Sequence, residues 1–371
     1  MFKRRRSYYT SYRGRRSSSG KKLFIGIAAL LLLVAVVGIF LLSDTLVFSA
    51  DGFWFSFREP KAEDTDPAPV QQDDKPEDFN IVIDGRTVEP DEPPVATSPV
   101  FPETLGVSDN ITSLLRNGYG ESLADAAIAA GCNTLCFTVK DTDGVSLIPV
   151  TSSYSSQGSQ ADNAQQIKDA LEALKAEKDI YLAARVSAMC DMLAPRAHNA
   201  GAVRVNSGAT WLDKYNRRWL NAYSDVASEY VCDMVAACAA SGFDVVILDH
   251  LCFPVEGRID LITYGAADNA AARQQAVTRV LEAAAETAKL EDVSLAVVLE
   301  NEVSDGVSGQ DAASMAPYCQ TIYYLGAEDT PYEAALAEAL NGTDCHVGRI
   351  DSNAVFTAPA KGVSLITGRL Q

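Results

Sequence analysis

The residues best placed to do chemistry are charged groups that close short apolar runs. Asp249 ends the run Val245–Leu248 and is followed by His250. Glu300 ends Val293–Leu299, Lys140 and Asp141 end Thr134–Val139, and Asp351 ends His346–Ile350. Arg185 lies inside Ile180–Val186, and Tyr324 inside Thr321–Leu325. A short run of branched apolar residues reads as a strand buried on both faces. In α/β barrels the chemistry sits at the carboxyl ends of such strands. Two carboxylates flanking a glycosidic bond suffice for hydrolysis, one donating a proton while the other attacks the sugar or activates water. Asp249 and Glu300, on neighbouring runs, are the candidate pair. Each acid taken alone also reads as a solvated strand end or a helix-cap partner. Arg185 also reads as an ion-pair partner of Asp141 or Asp249.

The stretches after the second and third runs, Lys140–Gln160 and Ser187–Arg217, are long. Loops of that length are usually functional or disordered. The second holds Arg196, His198, Trp211, Asp213 and Tyr215. Rings for stacking and charged groups for hydrogen bonding suit a sugar; a lid that only covers the barrel is the plainer reading. Other chemistries find no support. There is no G-x-S-x-G elbow, Walker loop or H-E-x-x-H. His198, His250 and His346 are far apart, so no metal site is expected, and no cofactor is implied.

The positioning elements follow from periodicity. Eight short apolar runs are expected as strands: Thr104–Val107, Thr134–Val139, Ile180–Val186, Val245–Leu248, Val293–Leu299, Thr321–Leu325, His346–Ile350 and Val363–Thr367. Helical stripes separate most of them. Ser122-x-x-Asp125 offers a capping box for the first. Ile167, Ala170, Leu171 and Leu174 mark the second. Trp219 through Cys238 draws a long third, and Val277 through Ala288 a fourth. A short helix is expected near Asp311–Ala316. Thr330-Pro331-x-Glu333 reads as a capped helix start. Strands alternating with helices over residues 103–371 predict an α/β fold, a (β/α)₈ TIM barrel. It lacks a helix between the last two strands and an eighth helix. An open doubly wound sheet would call for a Gly-rich loop after the first strand, and Leu105-Gly106-Val107-Ser108 offers none.

The 371 residues carry a net charge of −18, unevenly spread. Residues 1–22 hold nine basic residues and no acid, which leaves the remainder at −27. So acidic a body repels phosphate and excludes nucleic acid as a partner. Leu23 to Leu42 carries no charge and matches the hydrocarbon thickness of a bilayer. With its basic flank on the N-terminal side, it predicts a single-pass signal anchor in the cell membrane. The tail 1–22 would be cytoplasmic and the C-terminal domain extracytoplasmic. A cleaved signal peptide ending near Phe48-Ser49-Ala50 is the rival. Residues 43–102 are expected to be an acidic, Pro-rich linker, extended and largely disordered. Within it lie the aromatic cluster 53–57 and a small hairpin over Ile81–Val88. The eight cysteines show no C-x-x-C and sit mostly in apolar patterns, as small buried hydrophobes do.

Four stretches in order carry a resemblance. They are Val139-Lys140-Asp141-Thr142-Asp143-Gly144, Ile180-Tyr181-Leu182-Ala183-Ala184-Arg185-Val186, Trp211-Leu212-Asp213-Lys214-Tyr215, and Gly242-Phe243-Asp244 through Asp249-His250-Leu251-Cys252-Phe253-Pro254. Together they resemble V-K-D-D-D-G, I-Y-x-I-A-R-I, W-x-D-P-Y and G-F-D-E-I-Q-F-D-Y-V-R-F-P. These are patterns of a bacterial glycoside hydrolase-like family of TIM barrels, distant relatives of the α-amylases. The resemblance covers residues 130–257 well. It implies a barrel acting on carbohydrate, a polysaccharide or cell-wall glycan, with Asp141, Arg185, Asp213 and Asp249 in the site. By analogy with α-amylase-like barrels, Asp249 would be the nucleophile and Glu300 the acid/base. Trp211, His250 and Tyr324 complete the expected substrate-binding set. The family's arginine in Y-V-R-F-P is Cys252 here, and its later strand motifs S-A-D-V-F-G and P-M-x-Y-P-S are replaced. Those departures leave a second expectation, a catalytically inactive barrel that binds glycan or cell wall.

Overall fold

A computed structural model describes residues 103–156, 158–359 and 362–370, together with the backbone of 46–49 and 52–55. The chain divides into two units, Met1–Glu89 and Pro90–Gln371. In the first, Leu46–Ser49 pairs antiparallel with Gly52–Phe55, so part of the aromatic cluster belongs to a small hairpin. The basic tail, the apolar run 23–42 and the hairpin expected at Ile81–Val88 lie outside the described residues. Among the described residues no helix is long and apolar enough to cross a membrane.

The second unit is a closed barrel of eight parallel strands. They are β1 (Leu105–Asp109), β2 (Thr134–Lys140), β3 (Tyr181–Ser187), β4 (Val245–Asp249), β5 (Ser294–Leu299), β6 (Thr321–Leu325), β7 (His346–Val355) and β8 (Val363–Arg369). They pair in chain order, and β8 returns to β1 through Leu365↔Leu105. All eight expected strands are present. Five main helices cover them: α1 (Tyr119–Ala129), α2 (Ala164–Glu177), α3 (Asp225–Ala240), α4 (Ala270–Leu290) and α5 (Thr330–Ala339). Among the described residues no helix separates β7 from β8, and none follows β8.

Helix starts differ from expectation for local reasons. α1 begins at Tyr119 behind Gly118, whose φ of 69° suits the left-handed region open to glycine. The Ser122 hydroxyl donates back to the Gly118 carbonyl and does not cap. α3 begins at Asp225, not at Trp219. The apolar stripe over Trp219–Tyr223 belongs to a buried loop, because Trp219, Leu220 and Ala222 pack without forming helix. α5 is capped by Asp329, which accepts from the Tyr332 amide, while Glu333 turns to other partners.

The barrel interior shows how strand alternation decides which side chains reach the mouth. Cys136, Ala183, Val245, Ile247, Ala296, Val298, Tyr323, Ile350 and Ile366 form the inner cluster. Small residues on β3 and β5 leave room for the one large ring, Tyr323. That ring lies across Gly348, where an added Cβ would meet ring carbons at 2.4 and 2.5 Å. Continuing the inward parity along β3, β4 and β5 brings Arg185, Asp249 and Glu300 to the carboxyl rim. The larger cluster lies between strands and helices, with Leu171, Val231, Val277 and Leu281 among its buried members.

Candidate active site

Asp249 and Arg185 sit on neighbouring strands, with Arg185↔Ile247 in register. The guanidinium clamps the carboxylate through two bonds, Nε to Oδ2 and Nη2 to Oδ1, both at 3.0 Å. Burial works against the Arg185 charge, but the Asp249 carboxylate more than offsets it and leaves the guanidinium above its usual range. Both side chains are mostly buried, at 17% and 12% exposure. A carboxylate has about four lone-pair sites, so the clamp uses half of them.

Glu300 follows β5 on the next strand. Its Oε1 accepts the His250 backbone N–H at 2.8 Å, and its own N–H donates to Gln310 Oε1 at 2.9 Å. His250 adopts φ 52°, in the left-handed region that only a few per cent of non-glycine residues occupy, asparagine, aspartate and histidine most often. Both of its backbone groups are held, because the Met189 amide donates to its carbonyl at 3.2 Å. The Ser187 hydroxyl donates its one hydrogen to the Cys190 carbonyl at 2.7 Å. The Nδ1 of His250, 3.3 Å from that hydroxyl, is placed to donate to it, and in a neutral ring with that tautomer Nε2 is the acceptor. The Trp219 ring meets the imidazole edge-on at 5.9 Å.

A cleft of about 190 Å³ opens here, lined by His250 and Glu300 together with Asp213, Arg217, Trp219 and Cys252. Asp213 is held by everything around it. Oδ1 accepts the amides of Tyr215 and Arg217, and Oδ2 accepts Arg217 Nε at 2.7 Å and the Trp219 indole at 3.2 Å. Burial alone would raise its carboxyl, but the Arg217 amide and guanidinium and the Trp219 indole hold it below the usual range. Burial pushes the Cys252 thiol well up, so it stays protonated and is a packing group rather than a nucleophile.

The structure brings Arg185, Asp249, His250, Glu300 and Asp213 to one side of the rim. Three other expected residues lie elsewhere. Asp141 is exposed and lines a separate cleft of about 470 Å³ with Asp109, Thr138 and Asp143. Trp211 is 2% exposed and donates its indole N–H to the Arg258 carbonyl, so it offers no free ring face to a sugar. Tyr324 points outward to the helical layer, where its hydroxyl donates to Glu333 and its ring meets Tyr332 at 5.2 Å. Strand alternation is the reason: Tyr323 takes the inward position on β6. Two larger clefts, of about 620 and 580 Å³, lie away from this rim, against α4 and at the amino-terminal end of the barrel.

Sequence reasoning missed Asp191. The Lys140 ammonium is fully buried, donating to Asp191 Oδ2 at 2.8 Å and to the Ser187 carbonyl at 2.5 Å. Tyr230 on α3 donates to the same Oδ2 at 2.9 Å, and Oδ1 accepts the amides of Leu193 and Ala194. Burial raises the Asp191 carboxyl, but Lys140 and those amides win and hold it below its usual range. The long loops after β2 and β3 meet here. Gly144 passes so close that a Cβ would lie 2.4 Å from Asp191 Oδ1, and the Met192 amide donates to the Thr142 carbonyl. The signal was available: a lysine closing an apolar strand needs a buried partner.

Residues 115–324 match a family described as "Putative glycosyl hydrolase domain". The chain belongs to that family. The matched stretch spans β2 to β6 and so includes every residue of the rim cluster. No curated protein matches the sequence. Among solved structures, one similar chain is a hypothetical protein from Ruminiclostridium thermocellum, 18% identical, covering 54% of this chain and 98% of its own, with a TM-score of 0.45. Another is Aspergillus fumigatus Ega3 in complex with galactosamine, 11% identical, covering 74% and 95%, TM-score 0.40. A third is an α-galactosidase from Thermus thermophilus, 12% identical, covering 64% and 46%, TM-score 0.39.

Proposed function

We propose that this chain is a membrane-anchored, extracytoplasmic glycoside hydrolase that acts on a polysaccharide or cell-wall glycan. One observation carries the reading. Two carboxylates from adjacent strands share the carboxyl rim, and they are held differently. Asp249 is paired with Arg185, whereas Glu300 lines the cleft and is oriented by the N–H of a strained His250. Strained backbone persists where surrounding structure over-determines it, and such residues cluster at active sites. In this reading Asp249 is the nucleophile or water-activating base, Glu300 the proton donor, and His250 Nε2 an acceptor for a sugar hydroxyl.

A second reading, glycan binding without cleavage, draws on a different fact. Asp249 does not line the cleft, and about 190 Å³ is below the usual 300–1,000 Å³ of small-molecule sites. A polysaccharide panel scored for binding and for released reducing ends separates the two. Hydrolysis by the full chain, abolished in Asp249→Asn and Glu300→Gln variants that still bind, supports the first reading. Binding without cleavage by the unaltered chain supports the second, and neither binding nor cleavage refutes both. The anchor reading rests on the uncharged run 23–42 beside a basic flank. Release of the chain from membranes by alkaline carbonate would refute it.

A further inference from the structure

The amino-terminal end of the barrel carries an arrangement that the glycan reading does not use. Cys319 precedes β6 and Cys345 immediately precedes β7, strands that pair from Thr321↔His346 onward. Carried one residue further back, that register sets Cys345 beside Gln320, the neighbour of Cys319, and the two Sγ atoms lie 3.9 Å apart. Both thiols are free, at 9% and 8% exposure. The second observation is a cavity. The cleft of about 580 Å³ at this end is lined by Cys319, Gln320, Thr343 and Asp344, and its size falls in the range of small-molecule sites. Cys319 thus has a route to solvent, and Cys345 stands directly behind it.

We propose that Cys319 and Cys345 form a reversible disulfide, and that the cleft beside Cys319 admits the small-molecule or protein disulfide that oxidises them. The exchange runs in two steps. The Cys319 thiolate attacks one sulfur of the incoming disulfide RSSR. A mixed disulfide forms, and one RS⁻ leaves and takes up the proton given up by Cys319. The Cys345 thiolate then attacks Cys319 Sγ and expels the second RS⁻, which is protonated in turn. Two protein thiols are oxidised and one external disulfide is reduced to two thiols. Closing the 3.9 Å gap to a bond of about 2.05 Å brings the two Sγ atoms together by rotation about their Cα–Cβ bonds. The bond would tie the amino ends of β6 and β7 across α5. Hydrogen bonding between the thiols, with burial, holds Cys319 in its protonated form, so exchange is slow at neutral pH and accelerates with alkalinity.

The test is thiol mapping of the full chain after incubation with oxidised glutathione, followed by denaturation, alkylation and peptide mass analysis. The expected result is two fewer alkylated thiols than the eight present, with Cys319 and Cys345 peptides joined. In Cys345→Ala the reaction should stop at a glutathione adduct on Cys319. Eight alkylatable thiols after oxidation, or a bond joining a different pair, overturns the proposal. Because the unaltered chain gives the deciding map, misfolding of the variant would not rescue it.

Discussion

Lys140→Met tests whether the rim is held up by one buried charge cluster. The ammonium lies 2.8 Å from Asp191 Oδ2, and both side chains are fully buried. At an effective dielectric of about 20, that separation corresponds to a Coulomb attraction of roughly 6 kcal/mol, before the cost of desolvating both ions. Removing one partner of such a pair costs about 3–5 kcal/mol, because the other charge stays buried. Here the Tyr230 hydroxyl and the amides of Leu193 and Ala194 still reach the carboxylate, which puts the loss near the lower end, about 3 kcal/mol. Urea unfolding of the barrel unit, followed by tryptophan fluorescence, measures it, since Trp211 and Trp219 are buried. Acid supplies a second check. The folded Asp191 carboxyl lies below its unfolded value, so its contribution is complete above about pH 4 and fades as pH falls through the folded value. The gap between parent and Lys140→Met should therefore be full at neutral pH and narrow in acid. Adding Asp191→Asn should recover part of the loss at neutral pH, because it removes the stranded charge while keeping an oxygen for the two amides. A loss below about 1 kcal/mol, or a gap that ignores pH, would refute the cluster as a structural keystone.

Gly348→Ala should destabilise the barrel by about 1–3 kcal/mol in the same assay, because its Cβ would enter the Tyr323 ring at 2.4 Å inside a closed interior. An unchanged midpoint would mean that Tyr323 is free to move. At His250 the backbone and the ring can be separated. His250→Gly keeps the left-handed φ and the N–H to Glu300, so stability should hold while glycan turnover falls. A β-branched valine at the same position should cost about 1–2 kcal/mol more than glycine, and equal stability of the two variants would argue against backbone strain.

Much of the fold was legible because a strand buried on both faces is an uninterrupted apolar run; the core of β4, Val245–Leu248, is fully buried. Legibility failed where burial was decoupled from regular structure. Trp219, Leu220 and Ala222 are as buried as any helix face, yet they line a loop. β7 runs on to Val355 through Ser352 and Asn353, polar residues with no strand pattern, because its pairing with β8 is interrupted after Asp351↔Thr367 and resumes at Val355↔Arg369. The same limit governs the site. Acids at strand ends could be assigned to the rim, but the choice between Tyr323 and Tyr324 depended on which one the closed barrel turned inward. Trp211 looked like a sugar platform because a tryptophan in a long loop has two uses, and its N–H to the Arg258 carbonyl decides for packing.

The position where the resemblance expects an arginine and finds Cys252 can now be read physically. Cys252 lines the same cleft as Arg217, and the Arg217 charge acts on its thiol. Positive charge has therefore not left the cleft; it arrives from the loop after β3 instead of from β4. Arg217 is fixed there by Asp213, which is itself tied to Trp219 and the loop backbone. A guanidinium on a short strand extension is positioned by the strand alone. One on a long loop must be held by the loop's own hydrogen bonds, and Asp213 braces Arg217 in that way. The replacement of that arginine therefore does not by itself argue for an inactive barrel.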